Sequence, residues 1–375
     1  MIDVQKVRSE FPAITHHPDV IYFDNASTTQ KPQTVLNAVS EYHHDYCANP
    51  HRSTHDWGLR STKAIEETRQ KVAEFLGLND TQGLYFNSGA TQSSFDLALH
   101  FCQHYLNDGD EVILSQDEHK TLLAAWEKAT QIANKKIIFK DIILDPEGDY
   151  NITDLKQKIT TNTKLAILSH IHNVFGIEMG IKAAREVIPN NIAIILDATQ
   201  SIGHISVRPL ELGIQAMYFS VHKMFGFSGT GVLWLDEKFS NKKMIFEQGT
   251  LNVEGILSLG AAVDYISKIG LSDIEYYLLD LTQYALGKLR GIPGIEFLPG
   301  PAFCQCATGH GIISFRINGT SSQDVAQWLN EHEIYVRSGE HCSHSEKAEN
   351  SIRLSFHVYN MKHEIDRFID VLKDA

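Results

Sequence analysis

The sequence has no long apolar run and comparatively little positive charge. None of its hydrophobic stretches approaches the length that a membrane-spanning helix requires. Its 375 residues include 33 Lys and Arg against 46 Asp and Glu, which gives a formal net charge of -13. An acidic chain of this kind is not expected to bind nucleic acid or an anionic membrane surface. The N-terminal segment also lacks an apolar core of signal-peptide length, so the sequence predicts a cytoplasmic protein.

Cysteine is scarce, and the sequence shows neither internal repeats nor low-complexity segments. The five cysteines are an odd number without the spacing of a disulfide framework, so we expect reduced thiols. Cys304 and Cys306 stand one residue apart and are typical of a metal or redox pair only when further ligands follow. No other Cys or His stands at ligand spacing from them, so the sequence predicts no metal site.

Short apolar runs alternate with helical patterns over the first two thirds of the chain. One example is the predicted strand Leu84–Asn87, which a helix follows. This alternation predicts an α/β fold with a mainly parallel sheet covered by helices on both faces. We expect a large domain at 16–250 and a smaller α+β domain at 251–375, because the chain is long enough to divide in two. An N-terminal helix within 1–15 is expected to pack on the small domain.

Two predicted strands deliver an acid and a lysine to the same edge of this sheet. One strand ends at Leu196, just before Asp197, and the strand Ala216–Ser220 leads to His222 and Lys223. Open α/β sheets bind ligands at the carboxyl ends of their strands. A desolvated lysine can form a Schiff base with an aldehyde, and a neighbouring acid keeps a pyridine nitrogen protonated. A helix N-cap and a solvated lysine are the simpler interpretations of each residue alone.

A glycine turn ahead of a helix predicts an anion site. The strand at Leu84–Asn87 runs into Ser88, Gly89, Ala90 and Thr91, where the next helix begins. Backbone N–H groups and the helix dipole attract phosphate at such a place, and Thr91 can add its hydroxyl. Glycine turns before helices are common, so this motif is weak when taken by itself.

The segments DATQSIGH and FSVHKMFGFSGTGVLW resemble the core signature of the class V aminotransferase family of fold-type I pyridoxal phosphate (PLP) enzymes, in its cysteine desulfurase and selenocysteine lyase branch. The resemblance covers essentially the whole chain. It implies that Lys223 carries pyridoxal 5'-phosphate, that Asp197 pairs with the pyridinium nitrogen and that Gln200 reaches the phenolic oxygen. The implied contacts of the cofactor phosphate are Ala90, Thr91, Ser220 and His222.

Three further segments resemble the part of the family that handles the substrate. Residues 115–119, SQDEH, resemble S-x-x-E-H, which implies that His119 stacks on the cofactor ring and takes part in proton transfer. Asn173 and Arg353 match the family residues that contact the substrate carboxylate. From the residues alone, a histidine that caps a helix and a surface arginine remain open alternatives.

Residues 337–342, RSGEHC, resemble R-[ST]-G-x-H-C, the segment whose cysteine is the sulfur-accepting nucleophile of the desulfurase branch. The resemblance therefore implies that Cys342 is the nucleophile. We expect Arg337 and His341 to favour its thiolate and Arg337 to contact the substrate. A buried apolar cysteine is the alternative, which the polar residues after Cys342 make less expected.

After Leu235 the chain departs from this branch. Only a few residues precede Phe246–Thr250, where the branch usually inserts a glycine-rich hairpin that reaches toward the neighbouring subunit. Thr250 matches the threonine that completes the partner's phosphate site, so the resemblance implies a homodimer. The missing hairpin leaves the docking of a sulfur-acceptor protein open.

The resemblance implies a cysteine desulfurase, or a selenocysteine lyase, that forms alanine and leaves a persulfide on Cys342. An alternative is a class V aminotransferase, epimerase or other PLP lyase in which Cys342 is not catalytic. A third interpretation is a non-catalytic scaffold or binding protein that kept the fold. Intact Lys223, Asp197, His119 and Arg353 argue against the third interpretation.

Overall fold

The structure is a computed structural model, which describes residues 2–240, 246–300, 302, 310–343 and 345–374. Cys304 and Cys306 lie outside the described residues. Within the described ranges, no helix combines the length and the apolar character that crossing a membrane requires.

The regular elements follow the alternation that the sequence predicts. The α-helices are α1 (Val4–Ser9), α2 (Pro12–Thr15), α3 (Gln33–Glu41), α4 (Asp56–Leu76), α5 (Ala90–His104), α6 (Lys120–Ala133), α7 (Ile152–Lys158), α8 (Ile181–Val187), α9 (Pro209–Leu212), α10 (Val253–Ile269), α11 (Leu271–Leu289), α12 (Ser322–Glu331) and α13 (Lys362–Lys373). The strands are β1 (Ile21–Tyr22), β2 (Leu84–Asn87), β3 (Glu111–Leu114), β4 (Ile138–Asp141), β5 (Thr163–Ser169), β6 (Ala193–Asp197), β7 (Ala216–Ser220), β8 (Gly231–Leu235), β9 (Ile295–Phe297), β10 (Ile312–Ile317), β11 (Ile334–Tyr335), β12 (Arg337–Gly339) and β13 (Ser351–Ser355).

Seven strands form the large sheet in the order β2-β8-β7-β6-β5-β3-β4. β8 runs antiparallel to β2 and β7, whereas all other neighbours in this sheet are parallel. The central strands β5, β6 and β7 are almost wholly buried apolar runs, as strands covered by helices on both faces should be. The predicted α/β fold with a mainly parallel sheet is confirmed.

The register of the central strands places polar residues side by side at one edge of the large sheet. Ser169 pairs with Asp197, and Asp197 pairs with Tyr218 on the next strand. The short helical turn Val221–Lys223 continues directly from β7. The acid and the lysine therefore project from neighbouring strands at the carboxyl edge, where α/β sheets bind ligands.

A second, antiparallel sheet has the order β12-β13-β10-β9. Its neighbouring strands β12 and β13 carry Arg337 and Arg353 as direct partners. β1 pairs in parallel with β11, and the side chain of Asn25 donates a 2.6 Å hydrogen bond to the carbonyl of Ser355. These contacts bring the segment after β1 beside β13.

The first helices pack against the C-terminal part of the chain. Arg8 donates to the carbonyl of Tyr359 at 2.6 Å and forms a 2.8 Å ion pair with Glu364. The ring of Phe11 lies 4.5 Å from that of Tyr359, between centroids. The expected domain boundaries at residues 15 and 250 stay a prediction.

Candidate active site

A cavity of about 240 Å³ opens between the carboxyl edge of the large sheet, the start of α5 and the strands β12 and β13. It is lined by every residue that the sequence singled out for the site except Thr250. The residues expected to bind the cofactor are Ala90, Thr91, His119, Asp197, Gln200, Ser220, His222 and Lys223. The residues expected to act on the substrate are Asn173, Arg337, Cys342 and Arg353.

Lys223 ends the helical turn after β7 and is partly buried at the cavity wall. Burial lowers the pKa of its amine to about 8, and the positive charge of Arg353 acts in the same direction. Removing the proton is easier for such an amine than for a solvated lysine. Lys223 can therefore act as a nucleophile toward an aldehyde near neutral pH.

Asp197 lies at the end of β6 with its carboxylate held by the chain. The backbone N–H of Thr199 donates to it at 2.8 Å, and burial raises its pKa although the charge of Lys223 opposes this. A cationic group in the cavity would provide the partner that a buried carboxylate needs. Nearby, the amide of Gln200 donates to the carbonyl of Ala26 at 3.1 Å, which fixes its side chain in the cavity wall.

The N-terminus of α5 has the geometry of an anion cradle. Its N-cap Gly89 has a φ of 144°, and the Cα of Gly89 would lie 2.5 Å from a Cβ added to Gly231. The hydroxyl of Ser220 accepts a 2.9 Å hydrogen bond from the N–H of Ala90, which ties β7 to this helix start. Thr91 in the first turn lines the cavity. Helix N–H groups and these hydroxyls suit a phosphate.

His119 caps α6 and also lines the cavity. The helix cap that the sequence offered as an alternative is present, whereas stacking on a cofactor ring stays a prediction. The N–H of Thr121 donates to its Nδ1 at 3.3 Å, which requires that this nitrogen carry no proton. Burial, followed by the charge of Lys223, lowers the pKa of His119 to about 4. At neutral pH the ring is uncharged, and the hydrogen bond that Nδ1 accepts from Thr121 favours the tautomer with the proton on Nε2.

Arg353 is 3% exposed and is held from several sides. It donates to the carbonyl of Asn173 and to the hydroxyl of Ser27, both at 2.9 Å, and it lies 3.3 Å from the carboxylate of Asp24. Its buried Nε has no hydrogen-bond partner within the part of the chain that the structure describes. This fixed guanidinium still has a donor to offer a ligand.

Cys342 is exposed at the mouth of the cavity, so the buried alternative is wrong. The guanidinium of Arg337 donates to its Sγ at 3.5 Å. His341 differs from the expectation, because burial lowers its pKa to about 3 and its Nε2 lies 2.8 Å from the hydroxyl of Ser351. A neutral His341 brings no positive charge to the thiolate. Arg337 is the cation in direct contact with Sγ, and Lys223 and Arg353 also interact electrostatically with Cys342.

The segment around Cys342 is fastened to the large sheet. The N–H of Lys120 donates to the carbonyl of Cys342 at 2.8 Å, and Asn173 donates through Nδ2 to the carbonyl of His341 at 2.9 Å. The hydroxyl of Ser343 donates to the carbonyl of Asp117 at 3.0 Å. These bonds hold the thiol over the cavity that Lys223 lines.

Thr250 lies outside this cavity. It is exposed, and its hydroxyl reaches Asn49 at 3.4 Å. Its segment is anchored by Glu247, which forms a 2.7 Å ion pair with Arg69. The role of Thr250 in a partner's site stays a prediction.

Sequence reasoning missed a buried carboxyl behind the site. Glu118 accepts hydrogen bonds from the hydroxyls of Tyr150 and Ser169 and from the N–H of Ser169 at 3.3 Å. Burial raises its pKa to about 7. The SQDEH motif contains Glu118, but no sequence pattern shows that this glutamate points inward while His119 faces the cavity. Ser94, Thr199 and Tyr218, which also line the cavity, were missed for the same reason.

The donor set fits PLP. It combines a nucleophilic amine for the aldehyde, a carboxylate for the ring nitrogen and a helix N-terminus for the phosphate. A metal site is not indicated, since no group of three or more His, Cys, Asp and Glu side chains among the described residues is placed to hold an ion.

Comparisons with known proteins agree with this geometry. A cysteine desulfurase of Wigglesworthia glossinidia brevipalpis is 29% identical, over 98% of this chain and 96% of that protein. A probable cysteine desulfurase of Borreliella burgdorferi is 30% identical, over 99% of this chain and 96% of its own. The solved structure of a cysteine desulfurase from Thermococcus onnurineus NA1 superposes with a TM-score of 0.90 at 29% identity, covering 100% of this chain and 98% of that one.

The family described as Aminotransferase class-V matches residues 21–243 and 236–368, which together span most of the sequence. The likeness extends through the large sheet and through the strands that carry Arg337 and Arg353. The chain belongs to the class V aminotransferase family.

Proposed function

We propose that the protein is a PLP-dependent cysteine desulfurase, which converts L-cysteine to L-alanine and leaves the sulfur as a persulfide on Cys342. The observation that carries this proposal is the meeting of Lys223, Arg353 and Cys342 in a single cavity. An amine for the cofactor, a cation for the substrate carboxylate and a thiol for its sulfur are the three groups that this reaction needs. The desulfurases among the chain's relatives support the same reaction.

Lys223 and Asp197 would hold the cofactor. When bound, PLP supplies an aldehyde that joins amino groups and a protonated ring that accepts electron density. Asp197 keeps a positive charge on that ring favourable, and the cradle at the start of α5 binds the phosphate. Lys223 and the neutral ring of His119 are the groups that hold and move protons at the amino-acid carbon.

Arg353 would bind the substrate carboxylate, with Asn173 beside it. The guanidinium is fixed by Asp24, Ser27 and the Asn173 carbonyl, so little side-chain freedom is lost on binding. This orientation directs the substrate side chain toward Cys342.

Cys342 would act as the nucleophile, with Arg337 stabilising its thiolate at 3.5 Å. The thiolate forms a bond to the substrate sulfur, and the bond between that sulfur and the substrate β-carbon breaks. The electron pair of the broken bond stays with the carbon, which takes up a proton and becomes the methyl group of alanine. The sulfur remains on Cys342 as a persulfide.

We extend the proposal to a homodimer, to a sulfur acceptor and to the cytoplasm. Exposed Thr250 is the residue expected to reach a partner's site, and light scattering of wild type tests the dimer. An exposed persulfide on Cys342 suits transfer to an external thiol. Cys47, Cys102 and Cys342 are all free thiols, which suits a reducing compartment.

The test is the formation of alanine and sulfide from L-cysteine and a reductant. We expect Cys342→Ser to keep the visible absorbance of bound PLP and to lose turnover by about a hundredfold or more. Cys47→Ser, which alters another exposed thiol, is the matched control and should retain turnover. Equal turnover by Cys342→Ser and wild type would contradict the proposal, and amino transfer to a 2-oxo acid would then be assayed. A parallel assay with selenocysteine distinguishes the lyase from the desulfurase.

A further inference from the structure

Thr29 lies behind the site and contacts both sides of the turn that carries Lys223. Its side chain is 1% exposed. The hydroxyl donates to the carbonyl of His222 at 3.1 Å and accepts from the N–H of Phe225 at 2.8 Å. The backbone N–H of Thr29 donates to the same His222 carbonyl at 3.0 Å. One small side chain thus joins two peptide groups of this turn.

These two peptide groups lie before and after Lys223 along the chain. The carbonyl of His222 belongs to the peptide bond that leads into Lys223, so fixing it fixes the plane next to the lysine Cα. The N–H of Phe225 follows two peptide bonds later along the turn. The direction of the Cα–Cβ bond determines where a long lysine side chain can place its amine. A shift of either peptide group that Thr29 contacts would therefore move the amine of Lys223.

The turn needs such support because its backbone is unfavourable. Phe225 has a φ of 71°, a left-handed conformation that is unfavourable for a residue with a side chain. The Phe225 ring is held between neighbours, 5.4 Å from Phe11 and 4.3 Å from His357, between centroids. Ring packing fixes the side chain, whereas the hydroxyl of Thr29 fixes the peptide.

We propose that Thr29 is a positioning residue for Lys223, acting through the peptide groups on both sides of that lysine. The inference rests on the proposed function, in which Lys223 holds the aldehyde of PLP. Thr29 itself is not among the residues that line the cavity, so it acts through Lys223 and not on the cofactor or substrate. Thr28 also donates to the His222 carbonyl, at 3.2 Å, but the contact to the Phe225 N–H comes from Thr29.

The experiment compares two substitutions of Thr29 in the PLP-loaded protein. Thr29→Val keeps the shape and removes the hydroxyl, whereas Thr29→Ser keeps the hydroxyl. The matched control is Thr282→Val, because Thr282 is also buried, donates to the carbonyl of Leu278 at 2.7 Å and accepts from the N–H of Gly311 at 3.2 Å. The readouts are the rate of PLP release, the fraction of PLP fixed to Lys223 by borohydride reduction, and the thermal unfolding midpoint.

We expect Thr29→Val to release PLP about tenfold faster than wild type and to show a smaller fixed fraction, as the loss of one buried hydrogen bond implies. Thr29→Ser should behave as wild type. Thr282→Val should unfold at lower temperature without changing either PLP readout.

Three results would overturn the proposal. The first is a Thr29→Val protein that releases PLP at the wild-type rate, and the second is a Thr29→Ser protein that releases PLP as fast as Thr29→Val. The third is a Thr29→Val protein that does not fold. The last would assign Thr29 a general role in folding. A wild-type protein that takes up no PLP would contradict the proposed function itself, and this proposal with it.

Discussion

Arg337 and Arg353 are direct partners across the antiparallel strands β12 and β13. Like charges in this arrangement repel each other. Burial, and to a lesser extent the charge of Arg337, lowers the pKa of Arg353 to about 10, although Asp24 opposes the shift. An anion bound beside the pair relieves the repulsion. The pairing therefore favours an anion in the cavity, as the proposed binding of the substrate carboxylate requires.

We expect Arg353→Lys to raise the KM for L-cysteine about tenfold or more, because lysine cannot replace the planar fork of a fixed guanidinium. The kcat should change less, since the nucleophile remains. Steady-state kinetics measure the changes in KM and kcat separately. The control is Arg316→Lys, which alters an arginine on β10 outside the cavity. An unchanged KM would show that Arg353 does not bind the substrate.

Arg337→Gln should slow the alkylation of Cys342 by iodoacetamide at neutral pH severalfold. The substitution removes the cation that lies 3.5 Å from Sγ, and the neutral His341 cannot replace it. Mass spectrometry of tryptic peptides measures the rate, and exposed Cys47 in the same protein provides the internal reference. Equal rates in variant and wild type would remove Arg337 from the activation of the thiol.

Lys223 should capture PLP with a pH dependence that reflects its burial, which lowers its pKa to about 8. Below that pH, the fraction of free amine falls tenfold for each pH unit. The rate at which cofactor-free protein gains visible absorbance should rise in the same proportion and level off above about pH 8. A rate independent of pH below this value would contradict the assignment, and Lys223→Ala should give no such absorbance.

Glu118→Gln should become more stable than wild type as the pH rises. Burial raises the pKa of Glu118 from 4.5 to about 7, so wild type has the full benefit of this group below pH 4.5 and loses it as the pH approaches 7. The amide of the variant does not titrate and can keep the bonds to Tyr150 and Ser169. The difference in the free energy of unfolding between Glu118→Gln and wild type should widen by about 1.4 kcal/mol per pH unit between pH 4.5 and about 7. Above this range the difference should stay constant.

Urea unfolding at several pH values measures that gap. Glu147→Gln, which alters an exposed glutamate, is the control and should show no widening. A gap that does not depend on pH would mean that Glu118 is ionised throughout.

Glu247→Ala should lower the free energy of unfolding by about 3 kcal/mol, because it leaves Arg69 buried without its main partner. Arg69 binds both oxygens of Glu247, at 2.7 and 3.2 Å, and the N–H of Phe86 donates to the same carboxylate at 2.7 Å. Glu66→Ala removes the half-exposed partner of Arg69 and should cost less than about 1 kcal/mol. Chemical denaturation measures the free energy of unfolding of both variants. Equal losses in Glu247→Ala and Glu66→Ala would contradict the larger role given to Glu247.

The sequence predicts the large sheet well because each of its central strands is a short apolar run followed by a polar residue. Asp197 and Lys223 could be placed together for this reason, since parallel strands end at the same edge. The resemblance to a family supplied Cys342 and Arg353. Their positions relative to the lysine depend on a second sheet, whose register with the first no local pattern encodes.

Other features of the site depend on contacts between distant parts of the chain. The bond from Thr29 to His222 spans 193 positions, and the bond from Arg353 to Asn173 spans 180. The neutral state of His341 and the inward direction of Glu118 follow from burial, which a sequence motif does not report. The roles of Thr29, His341 and Glu118 therefore depend on the folded structure and not on a local sequence pattern.

The pairing of β1 with β11 has a consequence for the order in which a growing chain completes its site. The strands of the large sheet, with Asp197 and Lys223, all precede residue 236. They have therefore been synthesised when translation is about two thirds complete. Tyr22 and the segment after it must wait for Tyr335 and Ser355 to emerge before their hydrogen bonds can form. A nascent chain thus contains Asp197 and Lys223 well before Cys342 and Arg353 have been synthesised.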